Sequence, residues 1–220
     1  MRKLIIVIAI TLIAASSANA QFYKGFGIKA GTSIAKQYIT YPTNVISVGN
    51  EYDPNKDMKY KAGLTFGLFK EIQIVENLKT QIGINYARKG YITKGTTEIY
   101  PEGVNITTNI DFITSEIYAK YDILKKDIKP YLLVGLRLDF YISLKSYYDD
   151  NTEIIFKSKT ITNDIILGAS FGAGVEFKTS KLTNIFIEAT FNPDITYLIE
   201  YDYNYKYRGR SFDIRTGIKF

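Results

Sequence analysis

The sequence predicts an all-β fold: an eight-stranded antiparallel up-and-down transmembrane β-barrel, preceded by a cleavable signal peptide. Three observations lead to this prediction. Eight segments alternate apolar and polar residues with a period of two, as two-faced strands do. The connections between them alternate between long and short. Finally, the polar faces are rich in glycine, which fits a crowded barrel interior better than a water-exposed surface.

The first 20 residues have the three regions of a secretory signal peptide. Arg2 and Lys3 give a basic start, residues 4–15 are almost entirely apolar, and Ala18 and Ala20 form a small-residue cleavage motif. A membrane-spanning helix needs about 20 apolar residues, and this run is shorter. We therefore expect a signal peptide over 1–20 and a single barrel domain over 21–220. The chain has no cysteine, which excludes N-terminal lipid attachment through that residue.

The composition excludes several classes of protein. The net charge of +6 falls to +4 once Arg2 and Lys3 are removed, and the basic residues are scattered, so no nucleic-acid partner is expected. The absence of cysteine excludes disulfides and thiolate metal sites. The 19 tyrosines and 13 phenylalanines, against five prolines, favour strands and membrane interfaces.

The first four predicted strands each oppose an apolar row to a polar or small one. They cover residues 25–34, 60–69, 78–91 and 111–121. Their apolar faces take every second residue of 26–34, 60–68, 78–86 and 113–121. None of these rows carries a charge, which is what contact with lipid requires.

The last four predicted strands repeat the pattern, and the fifth is the clearest of all. They cover residues 132–142, 164–177, 185–192 and 210–220, and the last ends on the aromatic residue Phe220. Short turns are predicted at 71–77, 122–129 and 178–183, and long loops at 38–59, 94–108, 145–163 and 193–209. Short turns face the periplasm and long loops face outward in bacterial outer-membrane barrels.

A soluble secreted barrel would also show eight alternating strands. Its polar face would carry long charged residues throughout, whereas this face repeats glycine, for example at Gly27, Gly83 and Gly172. The charged residues of the polar faces are predicted to point into the lumen: Lys29, Lys61, Glu116, Lys120, Arg137, Asp139, Asp164, Glu176, Glu188, Asp213, Arg215 and Lys219. Because both signs are present, these residues could form a structural network of ion pairs, or they could line a narrow conduction path.

No enzymatic site is predicted. Barrel enzymes of this location use histidine as a general base or within a triad, and this chain has none. Asp149, Asp150 and Asn151 could bind calcium, but the rest of the loop spacing is missing, so no metal site is expected. No cofactor is expected either.

Two stretches and the two chain ends carry a family resemblance. Residues 25–31 (GFGIKAG), residues 115–121 (SEIYAKY), the signal peptide and the aromatic end resemble the small outer-membrane β-barrel proteins common in Bacteroidota, the porin family or PorT-like barrels. The last strand is also similar to the signal read by the barrel-assembly machinery. Asp213, Ile218 and Phe220 fit that signal, whereas Arg215 stands where glycine is usual. The resemblance implies the fold, an outer-membrane location and contact with this machinery and with membrane lipid. It fixes no activity, although PorT itself is tied to a protein-secretion system.

Three roles remain open from the sequence. The first is a non-enzymatic structural or surface-binding protein that uses its long loops, above all a candidate contact loop containing Tyr197, Tyr201, Tyr203, Tyr205 and Tyr207. The second is a small pore for ions or solutes. The third is a component of a secretion or assembly complex.

We predict that the protein isolated from outer membranes begins at Gln21, because cleavage follows the Ala18–Ala20 motif. Intact-mass measurement and N-terminal sequencing check this. A protein that retains Met1 in the membrane would contradict it.

Overall fold

A computed structural model describes residues 23–40, 54–95, 103–124, 126–150, 152–154, 163–180, 183–201 and 205–220. The expected signal peptide lies outside the described residues. No helix in these ranges is long and apolar enough to cross a bilayer.

Eight long strands make up most of the described chain. They are β1 (Tyr23–Thr40), β2 (Lys59–Val75), β3 (Leu78–Gly95), β4 (Val104–Asp122), β5 (Ile128–Tyr148), β6 (Ile165–Lys178), β7 (Asn184–Pro193) and β8 (Tyr205–Lys219). Two short strands, Glu153–Ile154 and Ile199–Tyr201, pair with β5 and β8. A four-residue helix, α1 (Pro54–Asp57), precedes β2.

The eight strands close into a ring. Each pairs antiparallel with the next, and β8 pairs back with β1, so no long strand is left with an unpaired edge. Following cross-strand neighbours once around the ring from Gly27 leads back to Gln37, ten residues further along β1. A stagger of this size with eight strands gives a tilted, narrow barrel whose interior holds little more than side chains. The predicted eight-stranded up-and-down barrel is confirmed.

The polarity of the two faces of the sheet is opposite to that in a water-soluble protein, where the apolar face is buried and the polar face is exposed. Large apolar side chains lie on the outside, for example Leu64, Phe66 and Ile187, each more than half exposed. Buried side chains are mostly polar or charged within the described chain. Such an exterior is stable only against hydrocarbon, so the alternation predicted from the sequence places the apolar rows in lipid.

Glycines on the inner face make room for large neighbours. Gly174 lies directly opposite Tyr131, and a Cβ at Gly174 would lie 2.5 Å from the Tyr131 hydroxyl oxygen. Gly217 faces Phe186 in the same way, with 2.5 Å from its Cβ position to Phe186 Cζ. The same pairing occurs between Gly27 and Phe69 and between Gly135 and Tyr118. Each glycine therefore accommodates a ring from the adjacent strand.

The strands run further than predicted at both ends. β4 begins at Val104 and β5 ends at Tyr148, so parts of the predicted loops 94–108 and 145–163 are strand. β1 likewise enters the predicted loop 38–59, and β8 enters 193–209. Beyond the membrane the outer face no longer has to be apolar, so alternation fades while backbone pairing continues. The predicted turn at 71–77 is wrong for residues 71–75, because β2 continues to Val75.

We predict that Gly174→Val destabilises the barrel by about 1–3 kcal/mol, because the added methyl groups overlap the Tyr131 ring. The folded fraction is measured by heat-dependent gel mobility across a urea series. Ala173→Val, on the lipid-facing side of the same strand, is the matched control and should unfold like the wild type. Equal midpoints for the two variants would contradict the glycine–ring pairing.

Candidate functional site in the barrel lumen

The charged side chains of the inner face form three layers along the lumen. The lower layer, at the short-turn end, contains Glu71, Lys79, Lys120, Asp122, Glu176 and Lys219. The middle layer contains Lys29, Glu116, Glu188 and Arg215. The upper layer contains Lys89, Arg137, Asp139 and Asp194. Every layer holds equal numbers of cations and carboxylates.

Glu71 and Glu176 are the centre of the lower layer. Lys120 Nζ donates to Glu71 Oε1 at 2.6 Å and to Glu176 Oε2 at 3.0 Å. Lys219 Nζ bridges the same two carboxylates, at 2.9 Å from Glu71 Oε2 and 2.7 Å from Glu176 Oε1. At the rim, Lys79 Nζ lies 2.5 Å from Asp122 Oδ2. The two inner lysines and two glutamates thus form a closed ring joining β2, β4, β6 and β8.

The middle layer, which lies further from the short-turn end, also contains two cations and two carboxylates. Glu116 accepts hydrogen bonds from Lys29 and from Arg215 Nη1, the latter at 3.1 Å. Arg215 Nε lies 3.0 Å from Glu188 Oε1, and Lys29 Nζ lies 3.5 Å from the same atom. Tyr118 also donates to Glu116 Oε2 at 2.7 Å. All four charged residues are at least 97% buried, so each charge depends on its partners for stabilisation.

An aromatic layer separates the lower and middle ion pairs. It consists of Phe69, Tyr118, Tyr131 and Phe186, the rings that the glycines accommodate. The Phe69 and Phe186 rings meet edge to face with centroids 5.3 Å apart. Lys120 Nζ lies 4.0 Å from the centre of the Tyr131 ring, and Lys29 Nζ lies 5.6 Å from that of Phe69. The rings contact cations on both sides and fill the cross-section between the layers.

The upper layer connects the lumen to the last external loop. Arg137 contacts both Asp139 and Asp194, and Lys89 Nζ donates to Asp139 Oδ2 at 2.6 Å. Asp194 Oδ2 also accepts from the backbone N–H of Gly209 at 2.7 Å. Because Asp194 follows β7 directly, this cluster fixes the start of the loop inside the barrel.

That loop places an apolar plug in the external mouth. The plug consists of Ile110, Phe112, Ile166, Leu198 and Ile199, with Tyr91, Tyr141, Leu144 and Tyr207 packed against it. Residues 195–198 are held by backbone bonds, including Ile195 N–H to Leu167 O at 2.8 Å and Leu198 N–H to Tyr207 O at 3.0 Å. Leu198 is 99% buried. The lumen is therefore covered by apolar side chains on the external side.

The remaining lumen cavities are very small. Within the described chain, the cavity beside Asn85 and Asp213 measures about 10 Å³, and the one beneath Leu198 about 20 Å³. Each is about the size of a single water molecule. The larger concavities lie outside this filled region. The 840 Å³ one is on the lipid-facing surface of β8 and β1–β3, and the 630 Å³ one is the polar bowl at the short-turn mouth.

Of the twelve charged residues predicted to point into the lumen, ten are buried inside the barrel: Lys29, Glu116, Lys120, Arg137, Asp139, Glu176, Glu188, Asp213, Arg215 and Lys219. Another, Asp164, is exposed just before β6, so placing it in the lumen was wrong; the inward alternation begins only with the strand. Lys61, also predicted to face inward, is half-buried at the external end of β2. Asp213 accepts a hydrogen bond from Ser33 Oγ at 2.6 Å.

Sequence reasoning missed five charged residues of the layers: Glu71, Lys79, Lys89, Asp122 and Asp194. Glu71 has the clearest overlooked signal, because it continues the inward series of Thr65, Gly67 and Phe69 by one step. Asp194 likewise continues the inward series of Glu188, Thr190 and Asn192, but it falls in the predicted loop 193–209. It lies directly beyond β7, and its bridge to Gly168 places it beside Arg137.

Two tyrosines of the candidate contact loop have described side chains, Tyr197 and Tyr207, and they make different contacts. Tyr207 packs against the plug, and the Tyr197 ring lies 4.9 Å from Lys206 Nζ. Tyr201 and Tyr205 pair through their backbones at the base of the loop. Tyr203 lies outside the described residues.

We predict that Glu71→Leu lowers the free energy of unfolding by about 3–5 kcal/mol, because Lys120 and Lys219 lose one of the two carboxylates that surround them. Urea unfolding followed by gel mobility measures this. Glu153→Gln, in the solvent-exposed pair with Lys145, is the control and should change stability by less than about 1 kcal/mol. Equal effects of the two variants would contradict a stabilising role for the lower layer.

Comparison with known proteins agrees with this architecture. Residues 16–200 match the family model described as an outer membrane protein beta-barrel domain. No curated protein matches the chain.

The solved structures that are similar to this chain include the following three. Surface protein A of Neisseria (NspA) is 15% identical, with 88% of this chain and 95% of that one covered and a TM-score of 0.44. OprG of Pseudomonas aeruginosa is 11% identical, with 90% and 97% covered and a TM-score of 0.49. Ail of Yersinia pestis, solved with the heparin analogue sucrose octasulfate, is 12% identical, with 90% and 99% covered and a TM-score of 0.40.

The family match spans well over half of the sequence. It agrees with the closed barrel and its apolar exterior, and it confirms the predicted location in the bacterial outer membrane. The chain therefore belongs to the family of outer membrane proteins with a beta-barrel domain.

Proposed function

We propose that this protein is a closed, non-conducting and non-enzymatic outer-membrane barrel, whose role is structural or is carried by its external surface. The observation that carries the proposal is the filled lumen. Three neutral ion-pair layers, an aromatic layer and an apolar plug follow one another along the barrel.

The ion pairs argue against passage of solutes. A permeating ion would have to separate partners such as Arg215 and Glu188, which are both almost fully buried. Leaving a buried charge without its partner costs several kcal/mol. The two lumen cavities beside these contacts measure only about 10 and 20 Å³.

The chemistry of the lumen argues against catalysis. The sequence contains neither histidine nor cysteine, so the usual general base and thiolate nucleophile are missing. Central carboxylates of the layers, such as Glu71 and Glu116, form ion pairs with at least two cations each. These groups act as structural counter-ions.

The external end offers the surface for interaction. β3, β4 and β5 continue past the lipid-facing rows, with pairing as far as Gly95 with Val104 and Ile106 with Tyr148. The Thr108 and Ser146 hydroxyls, 2.9 Å apart inside this extension, keep the wall closed. The extended wall positions the long loops above the membrane, where a partner could reach them.

We predict that the purified barrel forms no channels in planar bilayers, because the lumen layers block ion flow. Conductance is measured after reconstitution, with a porin of about 16 strands as the positive control for the bilayers. Reproducible conductance steps from the wild-type protein would contradict the proposal and favour the small-pore alternative.

A role as a component of a PorT-like secretion complex remains a prediction from the family resemblance at residues 25–31 and 115–121. Co-purification from native membranes tests it. A stable complex with secretion proteins would assign the external surface to that assembly.

A further inference from the structure

A group of cations and aromatic rings lies on the outer surface of the barrel, at the external edge of the lipid-facing rows. This outer-rim cluster consists of Lys36, Tyr38, Tyr60, Arg208 and Arg210. It lies on β8, β1 and β2, outside the lumen described above.

The strand register brings like charges together. Lys36 of β1 lies directly opposite Arg210 of β8, and Arg208 is opposite Tyr38, one pair further out. Residues directly opposite each other in an antiparallel sheet lie on the same face, and like charges in such a pair destabilise it. The barrel therefore concentrates positive charge at a fixed place on its exterior.

The cluster has no anionic partner in the described part of the chain. No carboxylate there forms an ion pair with Lys36, Arg208 or Arg210, whereas the nearby Arg88 is paired with Asp111 at 2.8 Å. Lys36 donates to Asn55 O at 3.0 Å, and Arg208 Nε is buried without a hydrogen-bond partner. A group of this kind is complementary to an external anion.

The aromatic rings shape the cluster into a site. The Tyr60 ring lies between two cations, 5.9 Å from Lys36 Nζ and 5.8 Å from Arg210 Cζ. The Tyr38 ring lies 5.9 Å from Arg210 Cζ. The rings hold the two cations beside each other, and tyrosine hydroxyls at a membrane interface can donate hydrogen bonds to a headgroup.

The position of the cluster identifies the ligand class. The preceding outward-facing pair, Ile34 and Phe212, is exposed on the lipid-facing surface. Lys36 and Arg210 follow one pair further toward the external end. Lipid headgroups lie at this height, immediately above the acyl chains. At this height, adjacent lysine and arginine side chains would bind the phosphate group of a lipid.

We propose that the outer-rim cluster binds the phosphate group of a phosphorylated glycolipid in the external leaflet. The acyl chains of that lipid then lie against the apolar rows of β8, β1 and β2, beginning at Ile34, Leu64 and Phe212. This site is independent of whether the lumen conducts.

The test uses the mature barrel reconstituted in phosphatidylcholine nanodiscs. The probe is a diphosphorylated, acylated glucosamine disaccharide, and its dephosphorylated form is the matched lipid. Native mass spectrometry counts the probe molecules that the barrel retains. We expect the wild type to retain the phosphorylated probe and to lose the dephosphorylated one. Equal retention of both would overturn the proposal.

Variants locate the site. The double variant Lys36→Gln/Arg210→Gln should weaken retention about thirtyfold, since each basic residue at an anionic membrane surface contributes about a factor of five. Arg88→Gln, which removes a cation already paired with Asp111, should retain the probe. The charge-preserving exchange Lys36→Arg/Arg210→Lys should also retain it. Unchanged retention by the glutamine double variant would overturn the proposal.

Two further measurements keep the result unambiguous. Heat-dependent gel mobility shows whether each variant is folded, and the charge-preserving exchange provides a folded comparison at the same two positions. Inorganic phosphate at the probe concentration should not displace the lipid. Displacement by inorganic phosphate would identify a free anion as the ligand and overturn the assignment to a lipid.

Discussion

The structure depends on the pairing of opposite charges within each of the three lumen layers. The lipid-facing rows surround the lumen, so Lys29, Lys120, Arg215 and Lys219 are almost fully buried and depend on carboxylates for stabilisation. Glu71, Glu116, Glu176 and Glu188 compensate them layer by layer. Because each layer joins side chains from different strands, the ion pairs also cross-link the barrel from inside. The strands of the barrel and the ion pairs inside it therefore stabilise each other.

The aromatic layer and the glycines opposite its rings fit the narrow width of the lumen. A stagger of ten residues over eight strands leaves a lumen just wide enough for side chains. Large rings such as Tyr131 and Phe186 fit only because Gly174 and Gly217 stand opposite them. The result is a solid interior, which favours an anchoring or surface role over transport. Under the proposed function, the surface that acts is the exterior with the extended external wall.

Cations inside and outside the barrel have different partners for the same physical reason. Inside, a missing counter-ion would be too costly, so the chain supplies one for each cation of the layers. At the outer rim, Lys36 and Arg210 face the headgroup region, where the membrane itself carries anionic groups. On the same exterior, Asp111 forms an ion pair with Arg88, whereas no carboxylate of the described ranges forms one with Lys36 or Arg210.

The sequence alone determined the strand count, the two faces and the inward direction of most charged residues, because a period of two is a local property of each segment. It did not place Glu71, because residues 71–77 lie between two predicted strands and are predicted as the short turn that connects them. Only the tertiary structure decided which charges meet. Lys120 and Glu176 are 56 residues apart, and Arg137 and Asp194 are 57 apart. Register, stagger and the inward course of the last loop set these contacts, and no local pattern encodes them.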